Sequence, residues 1–425
     1  MANTYLQRNM ANSLDSVYTI SMWVKRCEIG RQQALFTAYN NSTYDTECFF
    51  DGDKINWRNK RNGSFTWQKK SNAKFRDTNS FYHFVFQNNQ SNRKIYVNGV
   101  EITSWETNTD GSGASTWNND KSHAIGSTVN GGADHFNGII SHMHFASGTS
   151  LAPTVFGSVD SVTGEWQINT SPSFTPGANG FTILKDGNTI TDQSANSNNF
   201  ALGAGAITNT KDCASNIMAT LNPLNNYQAS STFTYGNNKI VTASNRHGFN
   251  VSTLGATTGK YYFEAKLVSS AGNAHNVIGL SDHSYIGNNE ELSQENYSYG
   301  YINDGSFRAS ASNVVTGLST YGNGDIISVA ADLDNSKLYF RKNGAAWLNS
   351  GNPTSGSTGT GALPINNLNT TPNTDKRGQG VYYFAVGDWH NNSSATWETN
   401  FGNGYFGTTA ITTNSGNGYA GAEGA

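Results

Sequence analysis

The chain has 425 residues, a formal net charge of −3 and only 13% charged residues. A chain of this length normally forms roughly two to four domains. Its near-neutral balance argues against a protein that binds nucleic acid or membrane surfaces through bulk charge. The 45 glycines, 7 prolines and 12% aromatic residues are typical of turn-rich all-β proteins.

Cysteine usage and the first residues give expectations about compartment. Cys27, Cys48 and Cys213 show no metal-ligand spacing. We expect buried thiols in a protein assembled in a reducing cytoplasm, with a Cys27–Cys48 disulfide as the alternative. The start of the chain lacks the basic and apolar regions of a secretory signal, and no apolar run approaches the about 20 residues that span a bilayer. We therefore expect neither general secretion nor membrane insertion.

The first third of the chain reads as a series of short strands. Residues 17–25 alternate between apolar and polar positions, and the runs 82–86 and 94–97 lead into Asn98-Gly99, a pair that favours tight hairpin turns. Asn62-Gly63 separates two runs that carry Trp57 and Trp67. A three-residue loop would place these tryptophans opposite each other, whereas a two-residue loop would place them on opposite faces, and the sequence leaves both open.

The middle of the chain has a looser pattern, and a second β-rich unit follows it. Residues 158–215 predict an extended connector that packs on its neighbours. Within the second unit, residues 324–347 predict strand, turn, strand and an Asn343-Gly344 turn. The predicted fold class is therefore all-β, with two antiparallel β-sandwich, jelly-roll-like domains at residues 1–157 and 216–425.

Ordered motifs give both units a family resemblance. The second unit resembles SPRY domains, which are non-catalytic interaction modules, through GKYYFEAKL, VIGLSD, YGYINDG, GDIISVAADLDNSKLYFRKNG, YYFAVGDW and ATWETNFGNGYF. The first unit is similar to laminin-G-like, concanavalin-A-like jelly rolls through YTISMWVKR, YHFVF, KIYVNGVEI and FNGIISHMHFASGTSLAPTVFG. Glycan hydrolases share the concanavalin-like fold.

The pair of units, joined by GEW…NGFTILKD and followed by ATLNPLN, resembles virion structural proteins of marine bacteriophages. That resemblance implies a tail fibre or a head fibre or decoration in the virion. Such a protein docks to other virion proteins, forms a homo-oligomer and binds a host-surface glycan or receptor. Members of the group usually continue with a further strand after NFG, whereas this chain ends at residues 418–425. Two expectations follow: the sequence is cut short, or the last strand is missing and a sheet edge is left unprotected.

No pattern for catalysis is found in the sequence. Concanavalin-like glycan hydrolases need paired carboxylates about 5–9 Å apart, often as Glu-x-Asp-x-x-Glu on one strand, and the chain lacks this spacing. Glu290-Glu291 is interpreted as a solvated pair in a loop. Gly-x-Ser-x-Gly and phosphate-loop motifs are also missing from the sequence. We predict no enzyme, no catalytic residues and no cofactor, with a glycan hydrolase or a purely structural capsid decoration as alternatives.

Two patterns could hold a metal. His142 and His144 share a face of a predicted strand, a spacing that suits zinc, but we favour two surface histidines. A third ligand would have to come from loop residues, namely His123, Asp134 or His135. Asp51-Gly52-Asp53 and residues 332–335 offer oxygen ligands without completing a calcium loop. We predict no metal and leave calcium open.

Aromatic residues at the predicted turns and in one basic stretch are the binding candidates. Residues 54–76 interleave cations with aromatic rings, which could bind anionic glycans or single-stranded nucleic acid. We favour a hairpin with core aromatics on one face and solvated cations on the other, and predict no nucleic-acid partner. Loops of the SPRY-like unit supply the other candidates. The predicted ligand-binding residues are Trp57, Arg58, Trp67, Asp304, Trp347, Trp389 and His390.

Overall fold

The alternating apolar runs of the sequence form antiparallel strands, so the all-β prediction is confirmed. The computed structural model describes residues 3–11, 16–41, 44–90, 92–111, 114–128, 133–185, 190–207, 210–226, 231–243, 248–271, 275–283, 291–374, 378–388 and 393–411. Trp389, His390, Glu290 and the end of the chain at 418–425 lie outside these ranges. Within them, the chain forms no helix with the length and hydrophobicity to span a bilayer.

The chain divides into two compact units, Met1–Asn209 with Cys213–Ile217 (unit 1) and Thr210–Asp212 with Met218–Ala425 (unit 2). The described strands of unit 1 are β1 (Tyr5–Asn9), β2 (Val17–Arg26), β3 (Gln33–Asn41), β4 (Tyr44–Asp51), β5 (Lys54–Arg61), β6 (Ser64–Ser71), β7 (Tyr82–Asn89), β8 (Asn92–Val97), β9 (Val100–Glu101), β10 (Trp105–Thr109), β11 (Ser122–Ile125), β12 (Gly138–Ser147), β13 (Gly157–Val159), β14 (Trp166–Ile168), β15 (Phe181–Ile183) and β16 (Ala201–Ala204).

Two sheets of unit 1 pack over a shared core. The eight-stranded sheet has the order β10-β6-β5-β4-β3-β11-β1-β16, and the six-stranded sheet has the order β15-β12-β2-β7-β8-β9. Phe36 and Phe50 of the first sheet and Ile20 and Phe84 of the second belong to one buried cluster. This is the two-layer packing of a sandwich, in which each strand turns its apolar positions inward.

The segment interpreted as a connector contributes strands to unit 1. β14 pairs with β13, β15 pairs with the closing strand β12, and β16 pairs with β1. Phe181 and Ile183 of β15 are fully buried in the unit 1 core. Most of residues 158–215 therefore lies within the first compact unit.

Unit 2 has the same kind of architecture. Its described strands are β17 (Thr232–Thr234), β18 (Lys239–Val241), β19 (Gly248–Ala256), β20 (Lys260–Ala271), β21 (Asn276–His283), β22 (Ser298–Ile302), β23 (Phe307–Ala309), β24 (Ser312–Val315), β25 (Ile326–Asp332), β26 (Lys337–Lys342), β27 (Leu363–Pro364), β28 (Gly378–Asp388), β29 (Ser394–Asn400), β30 (Tyr405–Phe406) and β31 (Thr409–Ala410). A seven-stranded sheet, β17-β18-β29-β20-β25-β26-β27, encloses the core with a six-stranded sheet, β19-β28-β21-β22-β23-β24.

Four short 3-10 helices complete the described elements: Pro153–Val155, Pro223–Asn225, Leu348–Ser350 and Gly356–Thr358.

The predicted Asn-Gly turns are confirmed. In all three pairs, Asn62-Gly63, Asn98-Gly99 and Asn343-Gly344, both residues have positive φ angles between 48° and 78°. Two positive φ angles define the tight turn whose twist matches a hairpin. Asn and Gly tolerate this conformation best, so the local sequence favours a tight turn at all three pairs.

The cysteines of the Cys27–Cys48 alternative do not form a disulfide. Both side chains are buried, and the two residues are not joined. Burial raises the pKa of the Cys48 thiol far above its usual range. A thiol in such apolar surroundings is chemically inert.

Candidate binding surfaces

The β5–β6 hairpin resolves the open question about Trp57 and Trp67. Its turn is the two-residue Asn62-Gly63 loop, with Arg61 opposite Ser64. Thr66 is then an extra residue, a β-bulge that shifts the pairing by one and sets Trp67 opposite Asn59. The two tryptophans therefore share the core face as diagonal neighbours, with ring centroids 4.9 Å apart in a T-shaped arrangement.

Burial corrects the prediction that Trp57 and Trp67 bind a ligand. Both rings have 0% relative exposure and belong to the unit 1 core. A fully buried ring cannot be reached by a ligand from solvent, so this prediction is wrong for both residues. The favoured interpretation, with core aromatics on one face and cations on the other, holds for Trp57, Trp67 and Arg58, whereas Lys69 lies on the core face.

Arg58 lies on the opposite, outward face of the same sheet. Its guanidinium lies 4.6 Å from the ring centroid of Phe49 and 4.7 Å from that of Phe65. Glu47 accepts hydrogen bonds from Nε at 3.0 Å and Nη2 at 2.8 Å. Phe65 remains 50% exposed at the hairpin tip. We call Glu47, Phe49, Arg58 and Phe65 the Phe65 cluster.

Two lysines of the β5–β6 hairpin, at the end away from Phe65, are paired with acids on other strands of the sheet. Lys70 pairs with Asp51 at 3.0 Å and with Glu106 at 2.7 Å, and Lys54 also donates to Glu106. These two lysines hold the pKa of the exposed Glu106 carboxyl at about 2. A phosphate backbone would have to displace these pairs, because nucleic-acid binding needs cations that can neutralise phosphates.

A second aromatic surface lies on the outward face of the seven-stranded sheet of unit 2. Trp347 follows β26 and is partly buried. Its ring lies 5.0 Å from the Arg341 guanidinium and makes edge contacts with Tyr262 at 6.5 Å and Tyr339 at 6.4 Å. We call Tyr262, Tyr339, Arg341 and Trp347 the Trp347 cluster. Contact with one cation and with the edges of two rings holds the indole in one orientation.

Hydrogen bonds beneath the cluster fix Arg341. Its Nη2 donates to the Tyr262 hydroxyl at 2.9 Å and its Nε donates to Ser328 Oγ at 3.2 Å. The Tyr262 hydroxyl in turn donates to the buried Glu264 carboxylate. Burial, followed by the charge of Glu264, raises the pKa of Tyr262 to about 12. The hydroxyl therefore keeps its proton at neutral pH and remains a donor to Glu264.

Asp304 has a local structural role. It lies in the turn between β22 and β23, where its Oδ1 accepts hydrogen bonds from the Ser306 amide at 2.8 Å and the Ser306 hydroxyl at 2.6 Å. Such a carboxylate stabilises a turn. Its side chain is exposed. The structure does not bring Asp304 into the Trp347 cluster by any contact among the described residues.

The predicted surface histidines are buried instead. His142 and His144 have 3% and 2% relative exposure, and a bulge falls between them in the pairing of β12 with β2. His144 Nδ1 lies 3.0 Å from Thr182 Oγ1, and burial lowers its pKa to about 3. The interpretation as surface residues is therefore wrong. Among the described residues, no group of three or more His, Cys, Asp or Glu side chains could hold a metal ion.

His83 anchors the segment after β12 onto the outward face of the six-stranded sheet of unit 1. Its ring is stacked between Trp23 at 4.5 Å and Trp166 at 5.9 Å. Trp166 Nε1–H donates to Nδ1 at 2.9 Å, so the ring proton sits on Nε2, 2.8 Å from Ser21 Oγ. Burial lowers the pKa of His83 to about 3.

Glu291 is also buried, which corrects its interpretation as a solvated residue. It has 7% relative exposure, and its Oε1 lies 2.9 Å from Arg308 Nη1. Burial outweighs the attraction of Arg308 and raises the pKa of Glu291 to about 7. The burial follows from β23, which carries Arg308 to this position, and no local pattern in the sequence could have shown it.

The acidic residues considered for calcium have protein partners. Asp53 accepts from Arg26 at 3.3 Å and from Arg76 at 2.7 Å. Asp332 accepts from the Asn335 amide at 3.1 Å, and Asp334 accepts from the Gly259 amide at 2.8 Å. Asp332 and Asp334 therefore stabilise turns.

Sequence reasoning selected Arg58 and Trp347 but missed the rings beside them. Phe65 stands two positions from Trp67, and simple alternation would assign both to one face. In the structure the Thr66 bulge separates them, so that only Phe65 faces outward. Tyr262 and Arg341 lie on strands whose pairing brings them to the same face. Alternation could have identified them, because every second residue of a strand lies on the same face. It places Tyr262 on the outward face of β20, and it places Tyr339 and Arg341 together on one face of β26.

Comparisons with known proteins agree with this two-part architecture. A family model described as the concanavalin A-like lectin/glucanases superfamily matches residues 1–155, and a SPRY domain model matches residues 260–358. Curated protein sequences gave no match.

Solved structures show partial similarity. The SPRY domain of human HERC1 is 16% identical with a TM-score of 0.32, covering 42% of this chain and 96% of that chain. A heptameric SAP-like pentraxin from Limulus polyphemus is 15% identical with a TM-score of 0.28, covering 36% and 72%. Domain 4 of AbnA, a GH43 extracellular arabinanase from Geobacillus stearothermophilus solved with arabinotriose, is 19% identical with a TM-score of 0.26, covering 34% and 68%. Because the two family models match unit 1 and unit 2 separately, the chain contains a concanavalin A-like domain followed by a SPRY domain.

Proposed function

We propose that the protein is a non-enzymatic binding protein of a bacteriophage virion, a tail fibre or a head fibre or decoration. It docks to other virion proteins and binds a host-surface glycan or protein receptor. Two features support this: the resemblance of the paired units to marine phage structural proteins, and the domain classes that the family models match, which suggest carbohydrate or protein binding.

The observation that carries the binding proposal is the partly exposed Trp347 ring, held by Arg341 and Tyr262. Sugars present apolar C–H faces together with hydroxyl groups. A pre-oriented aromatic ring packs against such a face at little entropic cost, while neighbouring polar groups bond the hydroxyls. The Phe65 cluster offers a similar combination, an exposed ring beside a guanidinium and a carboxylate.

Weak individual sites suffice for such a protein if it is present in many copies. Linking several sites converts later binding events into intramolecular ones, which raises the overall avidity by about 10²–10⁴. We propose a symmetric homo-oligomer, the usual state of appendage proteins. Nucleic acid is not a proposed partner, since Lys54, Lys70 and Arg58 are engaged by carboxylates.

Binding of purified full-length protein to bacterial surface polysaccharides, measured by interferometry, tests the proposal. Trp347→Ala should weaken binding at least about tenfold, as expected for an aromatic anchor. Leu254→Ala, which removes a residue 47% exposed elsewhere in unit 2, should change it less than about twofold. Equal affinity of the two variants would exclude the Trp347 cluster as the receptor site.

The same preparation separates the competing functions. Reducing ends released from the polysaccharide would show a glycan hydrolase. Soluble protein should compete with phage adsorption to cells if the protein binds the receptor, whereas a purely structural decoration would leave adsorption unchanged. Immunogold labelling of particles would place the protein at the tail or the head.

A further inference from the structure

A lysine is nearly buried at the edge of the eight-stranded sheet of unit 1. Lys69 stands opposite Trp57 in the β5–β6 pairing, so its side chain leaves the strand on the core face. Only 6% of that side chain is exposed, and Nζ lies 5.6 Å from the centroid of the Trp105 ring.

The outermost strand presents an amide and a carboxylate to this amine. β10 pairs with β6 so that Asn108 stands directly opposite Lys69. Lys69 Nζ lies 2.5 Å from Asn108 Oδ1 and 2.7 Å from Asp110 Oδ2. The amide carbon, Cγ, is bonded to Oδ1 at about 1.23 Å, which keeps Nζ within about 3.8 Å of it. Reacting atoms in a near-attack arrangement are about 3–3.5 Å apart.

From this geometry we infer that Lys69 and Asn108 form an intramolecular isopeptide bond, with Asp110 carrying the protons. Asp110 takes one proton from the Lys69 ammonium, and the neutral Nζ attacks Asn108 Cγ. As the carbonyl re-forms, the Cγ–Nδ2 bond breaks and Asp110 returns its proton to Nδ2. The amide nitrogen loses its second proton to the departing ammonia. The products are one neutral amide and one ammonium ion, and no oxidant or reductant is required.

The bond would join the outermost strand of a sheet covalently to its neighbour. β10 is paired on one side only, with β6, and its described residues are mostly exposed. An edge strand with so little burial opens readily on its own. Cys27 and Cys48 do not form a disulfide in this unit, so the isopeptide bond would supply a covalent constraint that is stable in a reducing compartment.

The intact mass of the full-length protein tests the inference. Purified wild-type protein held for a day at neutral pH should be lighter than its sequence mass by one ammonia. Tryptic digestion should yield residues 62–70 joined to residues 95–121, because trypsin cannot cut after a lysine whose amine is acylated. Wild-type protein at its full sequence mass would overturn the inference.

Variants separate this bond from succinimide formation at an Asn-Gly pair, which also releases ammonia. Lys69→Arg and Asp110→Ala should both restore the full mass. Lys70→Arg should retain the loss, because the adjacent Lys70 pairs with Asp51 and Glu106 on the other face. A mass loss that persists in Lys69→Arg would overturn the inference.

Discussion

Single glycines determine where the segment after β12 can sit on unit 1. Gly99 has φ +78°, and a Cβ added there would lie 2.5 Å from the Trp166 ring. The ring cannot move away without losing its stack on His83 and its hydrogen bond to Nδ1. Gly30 has the same φ of +78° but nothing within 4 Å of an added Cβ. An alanine at Gly30 would therefore introduce backbone strain alone, whereas an alanine at Gly99 would add a steric clash with Trp166.

Gly99→Ala should lower the free energy of unfolding by about 2–4 kcal/mol, because strain and displacement of Trp166 add together. Gly30→Ala, which carries the backbone strain alone, should cost about 1 kcal/mol. Urea denaturation followed by tryptophan fluorescence measures both. Equal costs at the two positions would contradict the close contact between Gly99 and Trp166.

At the scale of elements, the Thr66 bulge decides which face of β6 each residue occupies. A strand has a side-chain period of two, so one extra residue reverses every later side chain. Before the bulge Phe65 faces outward opposite Lys60, and after it Trp67 faces the core opposite Asn59. Thr66 also accepts a hydrogen bond from Asn59 Nδ2 at 2.8 Å. The core and the Phe65 cluster therefore both depend on this element.

Deleting Thr66 should be tolerated, at a cost of about 1–2 kcal/mol for the lost hydrogen bond. Regular alternation alone would then keep Phe65 outside and Trp67 inside. Deleting Gln68, on the same strand, should prevent folding of unit 1, because it would turn Lys70 toward the core. Near-ultraviolet circular dichroism and urea denaturation distinguish the two outcomes. If both deletions unfold the unit, the bulge does not determine the register.

At the scale of the whole molecule, buried titratable groups give the two units opposite responses to pH. Burial lowers the pKa of three histidines in unit 1, His83, His123 and His144, to about 3. Their folded pKa lies below the unfolded value, so this stability is present above about pH 6.5 and is lost as pH falls toward 3. Asp45, with a pKa raised to about 6, offsets part of this loss. Glu291 in unit 2 has a folded pKa raised to about 7, so its contribution is complete below about pH 4.5 and is lost as pH rises through 7.

Calorimetry should show that the unfolding transition of unit 1 occurs at a lower temperature at pH 4.5 than at pH 7. That transition is assigned to unit 1 because its melting temperature decreases in Gly99→Ala. Each histidine contributes up to about 1.4 kcal/mol per pH unit. His83→Gln should reduce this dependence, and Glu291→Gln should flatten the opposite trend of unit 2. His135→Gln, a change at a partly buried histidine, is the control. If the unfolding temperature of unit 1 fell by the same amount in acid in His83→Gln as in the wild type, His83 would not be a source of the acid sensitivity.

Local patterns in the sequence were sufficient to determine the fold class. Alternation and Asn-Gly pairs act over a few residues, which is why the strands β2, β25 and β26 and the three tight turns could be predicted. Arg58 and Trp347 were selected because cations and aromatics near turns commonly reach solvent.

Contacts between residues that are far apart in the sequence decided which side chains are buried. Trp67 turns inward through a bulge, Glu291 is buried by Arg308 17 positions away, and His83 is buried by Trp166 83 positions away. Burial and pKa depend on what packs above a residue, and that neighbour comes from another strand. The sequence therefore determined the long alternating strands and the positions of the Asn-Gly turns. Only the tertiary structure decided the strands of residues 158–215 and which residues near bulges and loops are buried, because those depend on contacts with distant strands.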